Sequence, residues 1–272
     1  MNKMTREQAS VTRTLRMMWG LLVGFFLFNV SGAEPETGRL PDSIHKKTRF
    51  LNRDYVLMGL NVEPTSLKPD SPALPLLVYL HGSGGRGEDI EKVGRNVRRV
   101  VEGMRKHVSE PLIVVAPQCL PGTKGEMGIW QPKDLDLLLE HLKKSLPVNP
   151  NRIYLTGNSM GGFGTWAWAG ESPRHFAAIA PVVGGLGYGG PEDVYDDLDR
   201  WAKNLVEVPT WAFHGRTDPV VPAERSERMV GLIKSHGGKK AKLTIYPEEG
   251  HGAGQKVFSS AEFYAWLLSQ RK

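Results

Sequence analysis

Cysteine is almost absent: Cys119 is the only one among 272 residues. An intrachain disulfide is therefore impossible, and stability has to come from a hydrophobic core, which a chain of this length can supply. Cys119 has no histidine beside it in the sequence, so it reads as a buried structural thiol. Long apolar runs are missing too. The most apolar stretch, residues 17–30 (MMWGLLVGFFLFNV), falls short of the ~20 residues that a helical membrane span needs. Neither sign of charge dominates, with 35 Lys and Arg against 29 Asp and Glu. The densest basic cluster, Arg95, Arg98 and Arg99, fits a solvated helix face, and no nucleic-acid partner is inferred. There is no His–Glu pairing at zinc spacing and no dinucleotide fingerprint, so neither a metal nor a cofactor is expected.

The first 33 residues differ from the rest. Lys3, Arg6, Arg13 and Arg16 form a basic segment, the apolar run follows, and Ser31-Gly32-Ala33 supplies small residues at its end. That three-part pattern predicts a secretory signal (1–33) cleaved after Ala33, with a retained membrane anchor as the alternative. Cleavage lowers the formal charge from +6 to +3, so the pI of 9.3 overstates the basicity of the mature chain. The expectation is one secreted or periplasmic domain over 34–272, with no stable membrane anchor.

Within that domain, short apolar runs alternate with longer periodic ones. Residues 53–60, 76–80 (LLVYL), 112–115 (LIVV), 152–156 (RIYLT), 176–183 (FAAIAPVV), 208–213 and 242–246 read as strands. Residues 135–146, 160–169, 223–235 and 261–270 read as helices. Asp134 is placed to cap the first of these, and Pro147 stops it. Continuous apolar strands separated by helices imply a mostly parallel sheet covered on both faces. Between the strands at 176–183 and 208–213, a crossover helix over 193–205 leaves only GGLGYGGPE. That is too short for a lid domain.

The chemistry centres on Gly157-Asn158-Ser159-Met160-Gly161, a G-x-S-x-G motif entered from a strand and left by a helix. Such a turn pushes the serine hydroxyl out above the sheet, and the glycines allow close backbone approach. Serine is a weak nucleophile until a base takes its proton. Folds that present serine in this way place the acid and then the histidine later in the chain. His175, His214, His236 and His251 are the candidates. His251, in the glycine-flanked loop EEGHG, has the right position, whereas His214 ends a strand and suits a hydrogen-bonded structural role. Asp218, in GRTDP after the fifth parallel strand, is the expected acid, with Glu248 and Glu249 as rivals close to the histidine. Two backbone N–H groups should stabilise the developing oxyanion. Met160 offers one. The glycine-rich turn His81-Gly82-Ser83-Gly84-Gly85 offers the other, from Ser83 or Gly84. That turn lacks the Lys and Ser/Thr of a phosphate-binding loop.

The segments LVYLHGSGGRGED, IVVAPQC, NRIYLTGNSMGGFGTWAWA, FAAIAPVVGG, AFHGRTDPVVP and YPEEGHG resemble the secreted "predicted peptidase" or phospholipase/carboxylesterase-like group, on the prolyl-oligopeptidase and dienelactone-hydrolase side of the α/β-hydrolases. The similarity spans roughly residues 50–272. It implies the α/β-hydrolase fold, Ser159, Asp218 and His251 as catalytic triad, and hydrolysis of a carboxylic ester through an acyl-enzyme. Short acyl groups, on carbohydrate or another large alcohol, are the expected substrates. A peptidase on short peptides and a non-catalytic binding protein on the same scaffold are the alternatives. Two departures from the pattern, Asn158 and the Gly252-Ala253-Gly254 that follows the histidine, touch the rim of the site. Trp130 in GIWQP, Asn158 and Tyr188 are the candidate substrate contacts, with a core position as the other reading of Trp130.

Overall fold

A computed structural model describes residues 46–50, 53–120, 129–186 and 197–272. The expected signal segment and Tyr188 lie outside them. Eight strands form one sheet: β1 (Lys46–Phe50), β2 (Arg53–Leu60), β3 (Leu74–Leu80), β4 (Leu112–Pro117), β5 (Val148–Asn158), β6 (Ala178–Val182), β7 (Thr210–Gly215) and β8 (Ala241–Tyr246). Their order is β1-β2-β4-β3-β5-β6-β7-β8. β1 and β2 run antiparallel to their neighbours, and every pairing from β4 through β3 to β8 is parallel. β3 lies between β4 and β5, so the direction of winding reverses there. At such a point the loops leaving the strand ends diverge and open a crevice.

The continuous apolar strands have helices on both faces because their side chains alternate. Leu76, Val78 and Leu80 of β3 join one core layer, and Leu77 and Tyr79 join the other. The first layer is covered by α2 (Pro132–Ser145), α3 (Met160–Glu171), α4 (Leu198–Asn204) and α5 (Glu224–Ser235). The second is covered by α1 (Ile90–His107), α6 (Gly254–Phe258) and α7 (Ala261–Ser269). In α1 the buried stripe is Ile90, Val93, Val97, Val100, Val101 and Met104, at helical spacing. Asp89 caps its first turn by accepting the Glu91 N–H, and Arg105, Lys106 and His107 stand at the negative end of its dipole. Arg95, Arg98 and Arg99 are exposed on this helix, as expected.

Two local readings are corrected, the cap of α2 and the missing first strand, and one is met only in part. Asp134 does not cap α2: the helix begins at Pro132, whose fixed φ suits a first position, and Asp134 falls inside the first turn. The crossover helix α4, Leu198–Asn204, lies inside the expected 193–205; residues 193–196 of that expectation lie outside the described residues. The sequence reading also gave no strand for Lys46–Phe50, because its polar KKTRF lacks the apolar signature of an interior strand. Among the described residues no helix is long and apolar enough to cross a membrane.

Candidate active site

Four loops at the carboxyl ends of parallel strands meet above the crevice. Ser159 follows β5 directly and opens α3 with φ 56° and ψ −118°, a conformation that costs a non-glycine residue free energy. Packing holds it there. A Cβ on Gly157 would strike the Gly161 carbonyl, and one on Gly161 would strike the Leu80 carbonyl. The Ser159 N–H donates to Val182 O (3.0 Å), tying the turn to β6. The motif glycines are thus required by backbone contact, as the sequence suggested.

His251 begins the short turn after β8. Its Nε2 lies 2.7 Å from Ser159 Oγ, and its Nδ1 lies 2.8 Å from Asp218 Oδ2. An ionised carboxylate only accepts, so Nδ1 carries the proton and Nε2 is left to accept from the serine hydroxyl. The acid and base loops are stitched together. The Thr217 N–H and hydroxyl both donate to Glu249 O at 3.0 Å, and Gly215 lets the Glu249 and Gly250 carbonyls pass close by. The rival carboxylate Glu249 is engaged by Lys256 Nζ (2.7 Å), and Glu248 is exposed.

The Asp218 side chain is fully buried. Oδ1 accepts the Val220 and Val221 N–H groups, both at 2.9 Å, while Oδ2 faces His251 and, at 3.4 Å, His214 Nε2. Burial is the largest single influence on its pKa and pushes it up. The hydrogen bonds from His214, His251 and the Val221 amide together outweigh burial and hold the carboxyl well below its usual range. His214 has the structural role expected of it. Its Nε2 also meets Val221 O (2.9 Å) and its Nδ1 meets Ser226 Oγ (2.8 Å), all in the interior. Nε2 faces only acceptors, so it bears the hydrogen, and Nδ1 accepts from Ser226.

The loop after β3 forms a tight turn over Ser83–Gly85, closed by Gly85 N–H to Gly82 O (3.1 Å) and Arg86 N–H to Ser83 O (3.1 Å). The Ser83 and Gly84 N–H groups precede these bonds, as the Met160 N–H precedes the first bonds of α3. Gly82 brings this loop against the serine: a Cβ there would sit 3.6 Å from Ser159 Cβ. His81 locks the loop from below. It accepts the Cys119 N–H at Nε2 (3.0 Å), so its Nδ1 donates to Gly82 O (2.6 Å). Cys119 is buried, as read from the sequence.

Trp130 is not a cleft wall. Only 1% of it is exposed, its Nε1 donates to His81 O (3.3 Å), and its ring packs on His81 and on Gly164 of α3. It is a core residue that supports the loop after β3. Asn158 is half-buried, and its Oδ1 takes the space that a Cβ at Gly254 would need. The two departures noted in the sequence therefore meet: Asn158 occupies the space that glycine at 254 leaves open. Sequence reasoning gave no role to Arg86, whose Nη2 contacts Met160 Sδ at 3.0 Å. The only signal was its place in GGRGED, right after the turn. Among the described residues no group of three His, Cys, Asp or Glu side chains is arranged to hold a metal ion.

A family model described as the prolyl oligopeptidase family matches residues 122–188 and 185–272, more than half of the chain. The chain is 28% identical over 150 residues to the Bacillus subtilis peptidase YuxL, covering 46% of this chain and 23% of that one. It therefore spans about a quarter of that relative's length. It is 25% identical over 244 residues to feruloyl esterase C of Emericella nidulans, covering 87% of this chain and 82% of that one. Among solved structures it is similar to a thermostable esterase, with a TM-score of 0.64 and 28% identity over 85% of this chain and 63% of that chain. With its sheet order and the loops converging on Ser159, the chain belongs to the prolyl oligopeptidase family of the α/β-hydrolases, hydrolases of esterase and peptidase type.

Proposed function

We propose that this protein cleaves carboxylic esters through an acyl-enzyme on Ser159. The observation that carries the reading is the continuous relay from Ser159 Oγ through His251 to a buried, ionised Asp218. His251 takes the serine proton as the hydroxyl attacks the ester carbonyl, then returns it to the departing alcohol. Asp218 holds the imidazole in the tautomer that can accept, and stabilises it once charged. The N–H groups of Met160 and of Ser83 or Gly84 receive the oxyanion. Water then attacks the acyl-enzyme by the same route in reverse. The feruloyl esterase similarity over most of both chains supports an ester substrate, and the short segment between β6 and β7 supports short acyl groups on large alcohols such as carbohydrate. Export through an N-terminal signal, with Glu34 as mature N-terminus, belongs to the same reading.

The family match favours one second reading, hydrolysis of short peptides by the same relay. A fluorophosphonate probe should label Ser159 alone, as located by mass spectrometry. Rates on p-nitrophenyl acetate and butyrate, set beside aminoacyl p-nitroanilides, decide between ester and peptide. Faster turnover of the anilides would overturn the ester reading and leave the relay intact.

A further inference from the structure

We propose that Arg86 is an anion-recognising residue of this site, and that the substrate carries a carboxylate near its scissile ester. The inference rests on the ester-hydrolase reading above. Arg86 follows the turn that presents the Ser83 and Gly84 N–H groups, and its guanidinium lies on the side chain of Met160, the residue after Ser159. It is half-buried. Among the described residues its Nε, sealed from solvent, has no hydrogen-bond partner, and the one hydrogen bond its Nη2 makes is to a thioether sulfur. Sulfur of that kind is a weak acceptor.

A guanidinium held in a fold for structural reasons normally finds a carboxylate, because a buried charge without a partner is costly. Arg86 joins no ion pair among the described residues. The acidic residues beside it in sequence point elsewhere: Asp89 caps α1 and lies 3.8 Å from Arg95, and Glu88 is exposed. Arg152 shows the contrast, since it takes Glu110 in a two-pronged pair at 2.6 and 2.8 Å. The main chain around Arg86 is also fixed on both sides. Its own N–H binds Ser83 O, the Gly87 N–H binds Cys119 O (3.0 Å), and the Gln118 amide bridges Gly85 O and Asp89 O. A planar donor fork, partly desolvated and on the residue that follows the turn presenting the Ser83 and Gly84 N–H groups, suits a carboxylate.

The carboxylate could sit on the acyl or on the alcohol side, and two substrate pairs separate them. Mono-p-nitrophenyl succinate is compared with p-nitrophenyl butyrate, in which a methyl replaces the carboxylate. Para-carboxyphenyl acetate is compared with para-carbamoylphenyl acetate. The readout is the ratio of kcat/KM for the charged ester to that for the neutral one, in wild type, Arg86→Gln and Arg86→Lys. Wild type should prefer the charged ester on one arm. Arg86→Gln should lower that ratio roughly 10- to 100-fold, the worth of a charge-assisted hydrogen-bonded pair, and Arg86→Lys should keep part of it. A ratio that Arg86→Gln leaves unchanged on both arms overturns the proposal. So does a wild type that disfavours the carboxylate on both arms, a result that needs no folded variant. Turnover of the neutral esters separates either outcome from failure of the ester reading. If wild type cleaves no ester at all, both proposals fall.

Discussion

The two walls of the site differ in how their hydrogen-bonding capacity is used. On the wall built by the loops after β7 and β8, the buried negative charge of Asp218 is met on every side by Val220, Val221, His214 and His251. On the wall built by the loops after β3 and β5, the N–H groups of Met160, Ser83 and Gly84 stand without acceptors among the described residues, and the Arg86 fork meets only the weak acceptor Met160 Sδ. Fixed anionic charge is compensated on the first wall and awaited on the second. On the proposed mechanism, that difference matches where new negative charge develops: the wall holding Asp218 and His251 is complete before substrate arrives, and the donor wall is completed by the substrate.

The largest test of that contrast removes the atom between the walls. Ser159→Ala should lower kcat on p-nitrophenyl butyrate on the order of 10⁴- to 10⁶-fold while circular dichroism stays unchanged. Asp218→Asn opens the finished wall. It should cost on the order of 10⁴-fold in kcat with KM little altered, because the amide orients the imidazole in the wrong tautomer. A near-wild-type rate would shift the acid role to Glu248 or Glu249. Gly161→Ala tests the donor wall, where a methyl forced against the Leu80 carbonyl pushes the loop after β3 away from Ser159. A fall in Tm on the order of 5–10 °C is expected, with loss of activity beyond what unfolding explains. The smallest effect is a pH dependence. Because the Asp218 pKa is lower in the folded state, its stabilisation is present above the ~4 of an unfolded aspartate and fades as the pH falls below that. Measured as unfolding midpoints, the gap between wild type and Asp218→Asn should be wide at pH 7 and narrower at pH 3. An equal gap at both values would mean that the carboxylate is not held by charge.

What the sequence revealed depends on how local each determinant is. The turn at Ser159 was legible because the strand, the two glycines and the helix that enforce it are contiguous. Asp218 and His251 were legible because both loops follow recognisable strands and carry Gly or Pro beside the functional residue. Trp130 was open between core and cleft, since its burial depends on His81 and Gly164, both distant in the chain. Asp134 looked like a cap on composition alone, yet Pro132 had already started the helix. The state of Arg86 could not be read at all. Whether a guanidinium has a partner is a property of several loops together, and sequence proximity to Glu88 and Asp89 points to pairs that do not form.

The hydrogen bond between Ser159 and His251 joins residues 92 positions apart, and the one between His251 and Asp218 spans the last 33 of those positions. During synthesis Ser159 therefore leaves the ribosome long before His251. The loop that this contact closes contains β6, β7 and β8, whose packing into the sheet has to offset its closure entropy. Until the final segment docks, the growing chain holds a serine without a proton acceptor. On the proposed mechanism, hydrolytic competence arrives only when the segment bearing His251 has docked.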